Sequence, residues 1–485
     1  MDAIIGRHEE LSILEKVYNS NEAELLAIYG RRRVGKTYLV SNFFKERGLY
    51  FELTGTKDAR MHEQLVNFSN EFSRLFLKDE KTVLPCNWTE AFALLKTELE
   101  KADRHKKIIL FFDELPWLAS QKSGFLQALE NFWNRYASRD RRIIVIICGS
   151  AASWMIKNVI FGKGGLHNRV TRRIRLLPFT LSETEEFLKA KGIELDRKQI
   201  IELYMVTGGV PQYLKNAERG RSSAQIINDM CFKKDGALFD EFKRLYSSLF
   251  DNYENHVGII RALAGALNGL TMNELLKMAG LRSGGSSSKV IKELEEAGFI
   301  AYIPAFNKRK VNGRYILIDQ YSLFYLTWIE KADITGFEGG EEDYWIKKRA
   351  SRNWESWAGY AFENICFKHL TRIKSALGVG GVSTTASKWS YSPSKGSKDI
   401  GAQIDMIIDR ADNCINLCEM KYWDAEFVID KDYAKKLQNK KSVFKEKTCT
   451  RKTLFTTMIT TYGVKENERS LSTIDSQITM EALFE

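Results

Sequence analysis

The sequence predicts an α/β protein in four parts: a parallel sheet over residues 1–178, a helical lid over 179–250, a winged-helix unit over 251–335 and a second α/β domain over 345–485. Three observations carry this reading. Residues 30–37 are Gly-Arg-Arg-Arg-Val-Gly-Lys-Thr, set between a strand-like run and a stretch of helical spacing. Short apolar runs at 108–112 and 143–148 end in polar residues and alternate with helical patterns, as a doubly wound parallel sheet requires. Beyond residue 345 the chain changes character, and a hairpin pattern at 404–421 gathers charged residues on one face.

The first strand is the apolar run Leu25-Leu26-Ala27-Ile28-Tyr29. The octet after it matches the phosphate-loop pattern G-x-x-x-x-G-K-[ST] in full, and Tyr38–Phe44 follows with helical spacing. Gly30 and Gly35 let the backbone curl so that its N–H groups converge on phosphate oxygens. The start of the helix adds its positive dipole end. Gly30, Arg31, Arg32, Arg33, Val34, Gly35, Lys36, Thr37 and Tyr38 are therefore the expected nucleotide-binding residues. Lys36 would reach the β- and γ-phosphates, and the Thr37 hydroxyl would bind Mg²⁺.

The run Ile108–Phe112 suits a strand buried on both faces. It ends in Asp113 and Glu114. Asp113 would hold the Mg²⁺ shell, and Glu114 would polarise the attacking water. An Asp alone would support binding, whereas the Asp-Glu pair argues for hydrolysis. The next apolar run, Ile143–Cys148, leads through Gly149 to Ser150. That serine could touch the γ-phosphate or the water, or it could cap the helix that follows.

Residues 179–250 are helical in pattern, with a stop and restart at Thr207-Gly208-Gly209-Val210-Pro211. The next segment shows helical spacing from His256 to Leu263, a second helix Met272–Ala279 capped by Thr271, and a third, Lys289–Ala297, after the polar turn at 283–288. Phe299–Pro304 and Tyr315–Asp319 read as strands around a basic loop, Asn307–Gly313. Three helices and a wing describe a winged helix, whose third helix enters the major groove. On that reading Ser286, Ser287, Ser288, Lys289 and Lys292 face DNA, with Lys308, Arg309 and Lys310 on the wing. The other reading is a unit packed on the nucleotide domain.

The last domain is read from a helix, Trp354–Ile365, a loop rich in Gly, Ser and Thr, and two strands, Ile404–Arg410 and Cys414–Lys421. Pairing Arg410 with Cys414 across the turn places Asp405 opposite Glu419, and Lys421 shares their face. Two carboxylates can bind Mg²⁺, and a lysine can orient or activate water beside it. A helix over Asp432–Lys440 opens a basic stretch running from Lys431 to Lys452, suited to phosphate contact or to a solvated helix face.

The chain of 485 residues has room for about three domains of ordinary size, and its 44% hydrophobic content supports ordinary cores. The net charge of +11 points to an anionic partner, nucleic acid first. None of the seven cysteines forms a C-x-x-C pair, so neither a zinc knuckle nor a disulfide framework is expected. The start of the chain lacks the pattern of a secretory signal, and no apolar run reaches the length of a membrane span. A cytoplasmic chain with no membrane partner is the expectation.

These residues resemble the AAA+ ATPases of the archaeal type, which are related to signal-transducing STAND NTPases and to origin-recognition ATPases. The likeness is carried by Ile4-Ile5-Gly6-Arg7-His8-Glu9-Glu10, by the phosphate loop, by Phe112–Leu118 and by Asn168–Ile174. It implies Arg7 near the adenine. It also implies Arg169 as an arginine finger or γ-phosphate sensor, with Arg172 as its rival, and Pro211 in a G-x-P sensor that helps close the lid over the nucleotide. The Asp405…Glu419-x-Lys421 spacing resembles the PD-(D/E)-x-K restriction-endonuclease-like superfamily, without the Pro before Asp405. There a glutamate from the preceding helix can complete the site; Glu363 matches, with Gln438 on the next helix as a further candidate.

Together these resemblances imply ATP and Mg²⁺ as cofactors and DNA as a partner, and they leave a homo-oligomer open. Catalytic roles fall to Glu114, Arg169, Asp405, Glu419 and Lys421. Metal ligation falls to Thr37, Asp113, Glu363, Asp405 and Glu419. The function so read is an ATP-hydrolysing, DNA-directed ATPase with a metal-dependent deoxyribonuclease domain. The alternative is an ATP-gated switch that binds protein partners and cuts nothing.

Overall fold

A computed structural model describes residues 3–485, apart from 79, 81–83, 121, 161–165, 167, 251, 308–312, 333–342 and 395–399. The chain divides into two units, Met1–Pro178 with Ser248–Asp251, and Phe179–Ser247 with Asn252–Glu485.

The first unit is built on five strands: β1 (Glu24–Tyr29), β2 (Leu49–Thr54), β3 (Ile108–Asp113), β4 (Ile143–Gly149) and β5 (Arg172–Arg175). Their order is β2-β3-β4-β1-β5, and every neighbouring pair is parallel. Alternate residues of each strand go to opposite faces. Leu25, Leu110, Phe112, Val145 and Ile147 pack with the helices Met61–Phe76, Trp88–Leu99 and Phe125–Arg135. Leu26, Ile28, Ile109, Phe111 and Ile146 pack with the helices His8–Tyr18 and Lys36–Phe44. Burial on both faces is why these strands read as continuous apolar runs. β1 stands between β4 and β5, so the loop after it opens on the carboxyl edge of the sheet where strand order reverses. The ends of β3 and β4 reach the same edge, the usual ligand crevice of such sheets.

In the second unit the helix Arg197–Thr207 ends at Gly208 and Gly209, with φ of 61° and 75°. A Cβ on Gly209 would lie 2.2 Å from the Phe179 carbonyl oxygen, so the stop needs glycine for space as well as for its backbone. Pro211 then opens the short helix Pro211–Leu214. Three further helices, Tyr253–Ala264, Met272–Met278 and Gly285–Glu296, precede an antiparallel pair, β6 (Ile300–Ile303) and β7 (Arg314–Leu317).

The third helix starts at Gly285, not at Lys289, because the serines satisfy backbone carbonyls locally. Ser287 Oγ donates to the Arg282 carbonyl at 2.7 Å, and Ser288 Oγ to that of Gly284 at 3.1 Å. Ser287 is buried, which corrects its assignment to a DNA-facing surface. Lys289 and Lys292 are exposed and pair with Glu293 and Glu296. Lys308, Arg309 and Lys310 lie outside the described residues.

The C-terminal part runs helix Arg352–Lys368, β8 (Thr384–Tyr391), β9 (Ala402–Arg410), β10 (Cys414–Lys421), helix Lys431–Thr448, β11 (Thr453–Thr460), β12 (Ser476–Thr479). The sheet order is β12-β11-β10-β9-β8; β8, β9 and β10 are antiparallel, and β10, β11 and β12 parallel. β8 falls in the stretch that reads as a loop. It is an edge strand rich in Ser, Thr and Lys, and its pairing with β9 shifts between Ser387 and Trp389, so it carries no clean alternation.

Glu202, on the helix Arg197–Thr207, is buried and ties that helix to distant parts of the unit. Its carboxylate accepts from Ser223 Oγ at 2.7 Å, Tyr422 OH at 3.2 Å, and Arg349 through Nε at 3.1 Å and through Nη2. His369, also buried, accepts the Leu181 N–H at Nε2 and donates from Nδ1 to the Ile365 carbonyl. Among the described residues no helix is long and apolar enough to cross a membrane.

Candidate functional site

The loop between β1 and the helix Lys36–Phe44 curls through left-handed residues, Arg33 at φ 73° and Gly35 at φ 90°. A Cβ on Gly30 would sit 2.2 Å from the Leu176 carbonyl oxygen, whereas at Gly35 it would meet open space within 4 Å. The loop is thus pressed against the chain behind it at one end and open at the other. Lys36 is buried, and its Nζ donates to the carbonyls of Gly30 and Arg31 at 3.0 Å each. Thr37 Oγ1 donates to Asp113 Oδ2 at 2.5 Å, joining the helix start to the end of β3. Asp113 is 3% exposed, and its Oδ1 accepts the Glu114 N–H at 2.8 Å.

Glu114 has φ 47° and turns its carboxylate toward the end of β4. There it accepts Ser150 Oγ at 2.9 and 2.7 Å on its two oxygens and the Ser150 N–H at 3.2 Å. Of the two roles open to Ser150, helix capping is not the one seen: the next helix is preceded by Ala151 and has no side-chain cap. The serine instead fixes the direction of Glu114.

The other expected nucleotide residues are placed as follows. Arg7 is buried and donates to the carbonyls of Val34 at 3.0 Å and Leu177 at 2.8 Å, so it braces the loop. Val34 is part of the core and Arg31 is buried, while Arg32 and Tyr38 are exposed. Arg169 pairs with Glu130 at 3.8 Å. Two residues later the Thr171 N–H donates to the Leu25 carbonyl, at the start of β1 and the edge opposite the phosphate loop. Within this chain Arg169 is therefore not brought to the loop; a motif match carries no information about which sheet edge the segment reaches. Pro211 belongs to the second unit.

A second group of charged residues surrounds the β9–β10 hairpin. The register pairs Asp409 with Ile415 and Met406 with Cys418, as the three-residue turn predicts, and one step further sets Asp405 beside Glu419. Asp405 Oδ2 accepts the Met420 N–H at 3.1 Å. Glu419 is 2% exposed; its Oε1 accepts Lys440 Nζ at 2.6 Å, and its Oε2 is buried without a hydrogen-bond partner among the described residues. Burial, then the neighbouring Asp405 charge, pushes the Glu419 carboxyl up to about 7, against the pull of Lys440 and Lys421. Burial also raises Glu363, opposed by Lys388, which bonds it at 2.9 Å; Asp405 adds to the rise. Lys421 Nζ lies 5.7 Å from the centre of the Tyr433 ring.

The charges of Glu363, Asp405, Glu419 and Lys421 thus act on one another. Among the described residues, however, no three His, Cys, Asp or Glu side chains converge closely enough to hold a metal. Glu363, expected as a third ligand, faces Lys388 instead, and Gln438 is exposed. The pair Asp405 and Glu419 fits a hydrated divalent cation, which needs only one or two carboxylates and keeps several waters. The bare buried Oε2 of Glu419 is the kind of acceptor such a cation would satisfy.

Sequence reasoning missed Lys440 and Lys388. A signal for the first exists: Lys440 follows buried Leu437 by three residues and precedes buried Phe444 by four, so it shares the inner face of its helix. Lys388 lies on the edge strand, in the stretch whose sequence reads as a loop, and no signal marks it.

The model of an ATPase domain predominantly from Archaea matches residues 4–217. An uncharacterized protein of Methanocaldococcus jannaschii is 23% identical over 373 residues, covering 76% of this chain and 77% of that protein. An uncharacterized ATP-binding protein of the same organism is 49% identical over 43 residues, 9% of this chain and 73% of its own length. Among solved structures, a Walker-type ATPase of Pyrococcus abyssi is similar with a TM-score of 0.46 and 18% identity, over 67% of this chain and 96% of that one. The ORC2 protein of Aeropyrum pernix follows with 0.41 and 14%, over 69% and 97%. The phosphate loop and the Asp113–Glu114 pair both lie inside residues 4–217, the stretch that is similar to that archaeal ATPase domain.

Proposed function

We propose that this chain is a Mg²⁺-dependent ATP hydrolase that acts on DNA, and that its C-terminal domain is a restriction-endonuclease-like fold with a metal-dependent nuclease site. The observation that carries the first part is the run of contacts from Lys36 through Thr37 and Asp113 to Glu114 and Ser150. Lys36 would leave the loop carbonyls for the β- and γ-phosphates, and Thr37 and Asp113 would hold Mg²⁺ between them. Glu114, aimed by Ser150, would take the proton of the attacking water.

DNA as the partner is supported by the net charge of +11 and by the exposed lysines 435, 436 and 445 on one helix. The winged-helix reading of 251–335 rests on the order of three helices and a two-stranded hairpin. In the C-terminal domain a helix, three antiparallel strands, a helix and a parallel strand carry Glu363, Asp405, Glu419 and Lys421 on neighbouring elements. Asp405 and Glu419 would hold the cation, and Lys421 would orient water. A divalent cation there would polarise a phosphodiester oxygen. The ion pairs already made by Glu363 and Glu419 favour a second reading, an ATP-gated switch that grips a partner without cutting.

The test is full-length protein with plasmid DNA, Mg²⁺ and ATP, scored for phosphate release and strand cleavage together. Lys36→Ala should lose phosphate release; Asp405→Ala should lose cleavage and keep phosphate release. Wild-type hydrolysis with intact plasmid in both Mg²⁺ and Mn²⁺ selects the switch. No hydrolysis by the wild type sinks both readings.

A further inference from the structure

The two glutamates of the C-terminal cluster are each held by a lysine from outside the expected motif. Lys440, on the helix Lys431–Thr448, bonds Glu419 Oε1 at 2.6 Å; Lys388, on β8, bonds Glu363 Oε2 at 2.9 Å. Counted with Lys421, the cluster sets Lys388, Lys421 and Lys440 against Glu363, Asp405 and Glu419. Three lysines thus face three carboxyl groups. Glu419 is divided: one oxygen is taken by Lys440, and the other is buried and accepts nothing among the described residues.

The two lysines differ in their freedom to leave. The Lys388 side chain is 13% exposed, and its ammonium sits over the rings of Tyr360 at 5.7 Å and Phe367 at 5.5 Å. Withdrawing it would cost those contacts as well. The Lys440 side chain is 26% exposed, and its helix presents Lys436, one turn away, to solvent. Lys440 can swing outward without burying an unpaired charge, because its ammonium would reach water.

We propose that Lys440 is a tethered cation: it holds Glu419 through Oε1, and a divalent cation that binds at Oε2, between Glu419 and Asp405, must compete with its charge and drives it outward. The inference rests on the metal-site reading above and adds the residue that sets the affinity of that site. An ammonium and a divalent ion compete for the same carboxylate, and in a buried setting salt screens neither well. Lys440 is a positioning residue in this account. Once displaced, it joins Lys436 on the outer helix face, where a backbone phosphate would meet both.

The test is a Mn²⁺ titration of the full-length, nucleotide-free chain, read as loss of the free-ion electron paramagnetic resonance signal. Wild type, Lys440→Met, Lys440→Arg and Asp405→Ala are compared, with thermal melting to show that each is folded. Lys440→Met should bind Mn²⁺ at least about tenfold more tightly than wild type, because the competing charge is gone. Lys440→Arg keeps the charge and should stay at or below the wild-type affinity, and Asp405→Ala should lose the site. If Lys440→Met does not fold, Lys440→Gln carries the same expectation. Binding by the wild type with unchanged or weaker binding by the folded Met or Gln variant overturns the inference alone. No Mn²⁺ binding by any of them overturns the metal reading and the inference with it.

Discussion

Replacing Arg349 by Met should destabilise the second unit by about 2–3 kcal/mol, and the reasoning is set by the surroundings of Glu202. Glu202 is 1% exposed, so its carboxylate depends on partners and not on water. Arg349 supplies its opposite charge, through Nε at 3.1 Å and through Nη2; Ser223 and Tyr422 supply neutral hydrogen bonds. Removing one partner of a fully buried pair costs about 3–5 kcal/mol, because the remaining charge is stranded. The Arg349 side chain is 37% exposed, so water can enter where the guanidinium was, and the cost falls below that range, to about 2–3 kcal/mol. Methionine keeps the apolar stem, which confines the change to the charge.

The assay is urea unfolding of the full-length chain, following the transition of the second unit. The informative partner is the double variant Glu202→Gln with Arg349→Met. A neutral amide strands no charge; its one oxygen still accepts from one of the two hydroxyls, which donate to different oxygens of Glu202, and the other hydroxyl can turn to accept from the amide N–H, so the double variant should recover most of the loss. Two results would refute this account: Arg349→Met within about 0.5 kcal/mol of wild type, or a double variant as unstable as the sum of the singles.

Two further predictions concern the nucleotide site and pH. Glu114→Gln should still bind ATP but lower its turnover by about 10²–10⁴-fold, while Ser150→Ala, which only releases the Glu114 carboxylate, should lower it less; steady-state hydrolysis at wild-type rate in Glu114→Gln would show that another group handles the water. Burial lowers His369 from 6.5 to about 4, which favours the neutral ring that accepts the Leu181 N–H. The unfolded chain therefore binds more protons between these values, and its stabilisation, complete above pH 6.5, should fall by about 3 kcal/mol as pH drops to 4. Melting temperatures of wild type and His369→Gln across that window check this, and equal pH slopes would remove His369 as the cause.

The order of amino acids reveals what lies close together along the chain. The strand before Gly30, the loop to Thr37 and the helix after it are one local pattern, and each is where that pattern puts it. The apolar runs ending at Asp113 and Gly149 were legible because parallel strands buried on two faces leave no polar residue inside them. The register of β9 on β10 was legible too, because a three-residue turn allows only one count.

Which distant groups meet follows only from the folded chain. Nothing near Ser150 announces that it bonds Glu114, and nothing near Glu202 announces Arg349 or Tyr422, since each partner arrives on another element. Lys440 was one lysine among many until its helix was packed on the sheet and its ammonium met Glu419. Arg169 matched a motif, but which edge of the sheet it reaches depends on where β5 pairs with β1. Periodicity and turn chemistry act over a few residues and leave a trace in the order of amino acids. Contacts across a core depend on how whole elements pack, and a single chain of letters holds no such local trace of them.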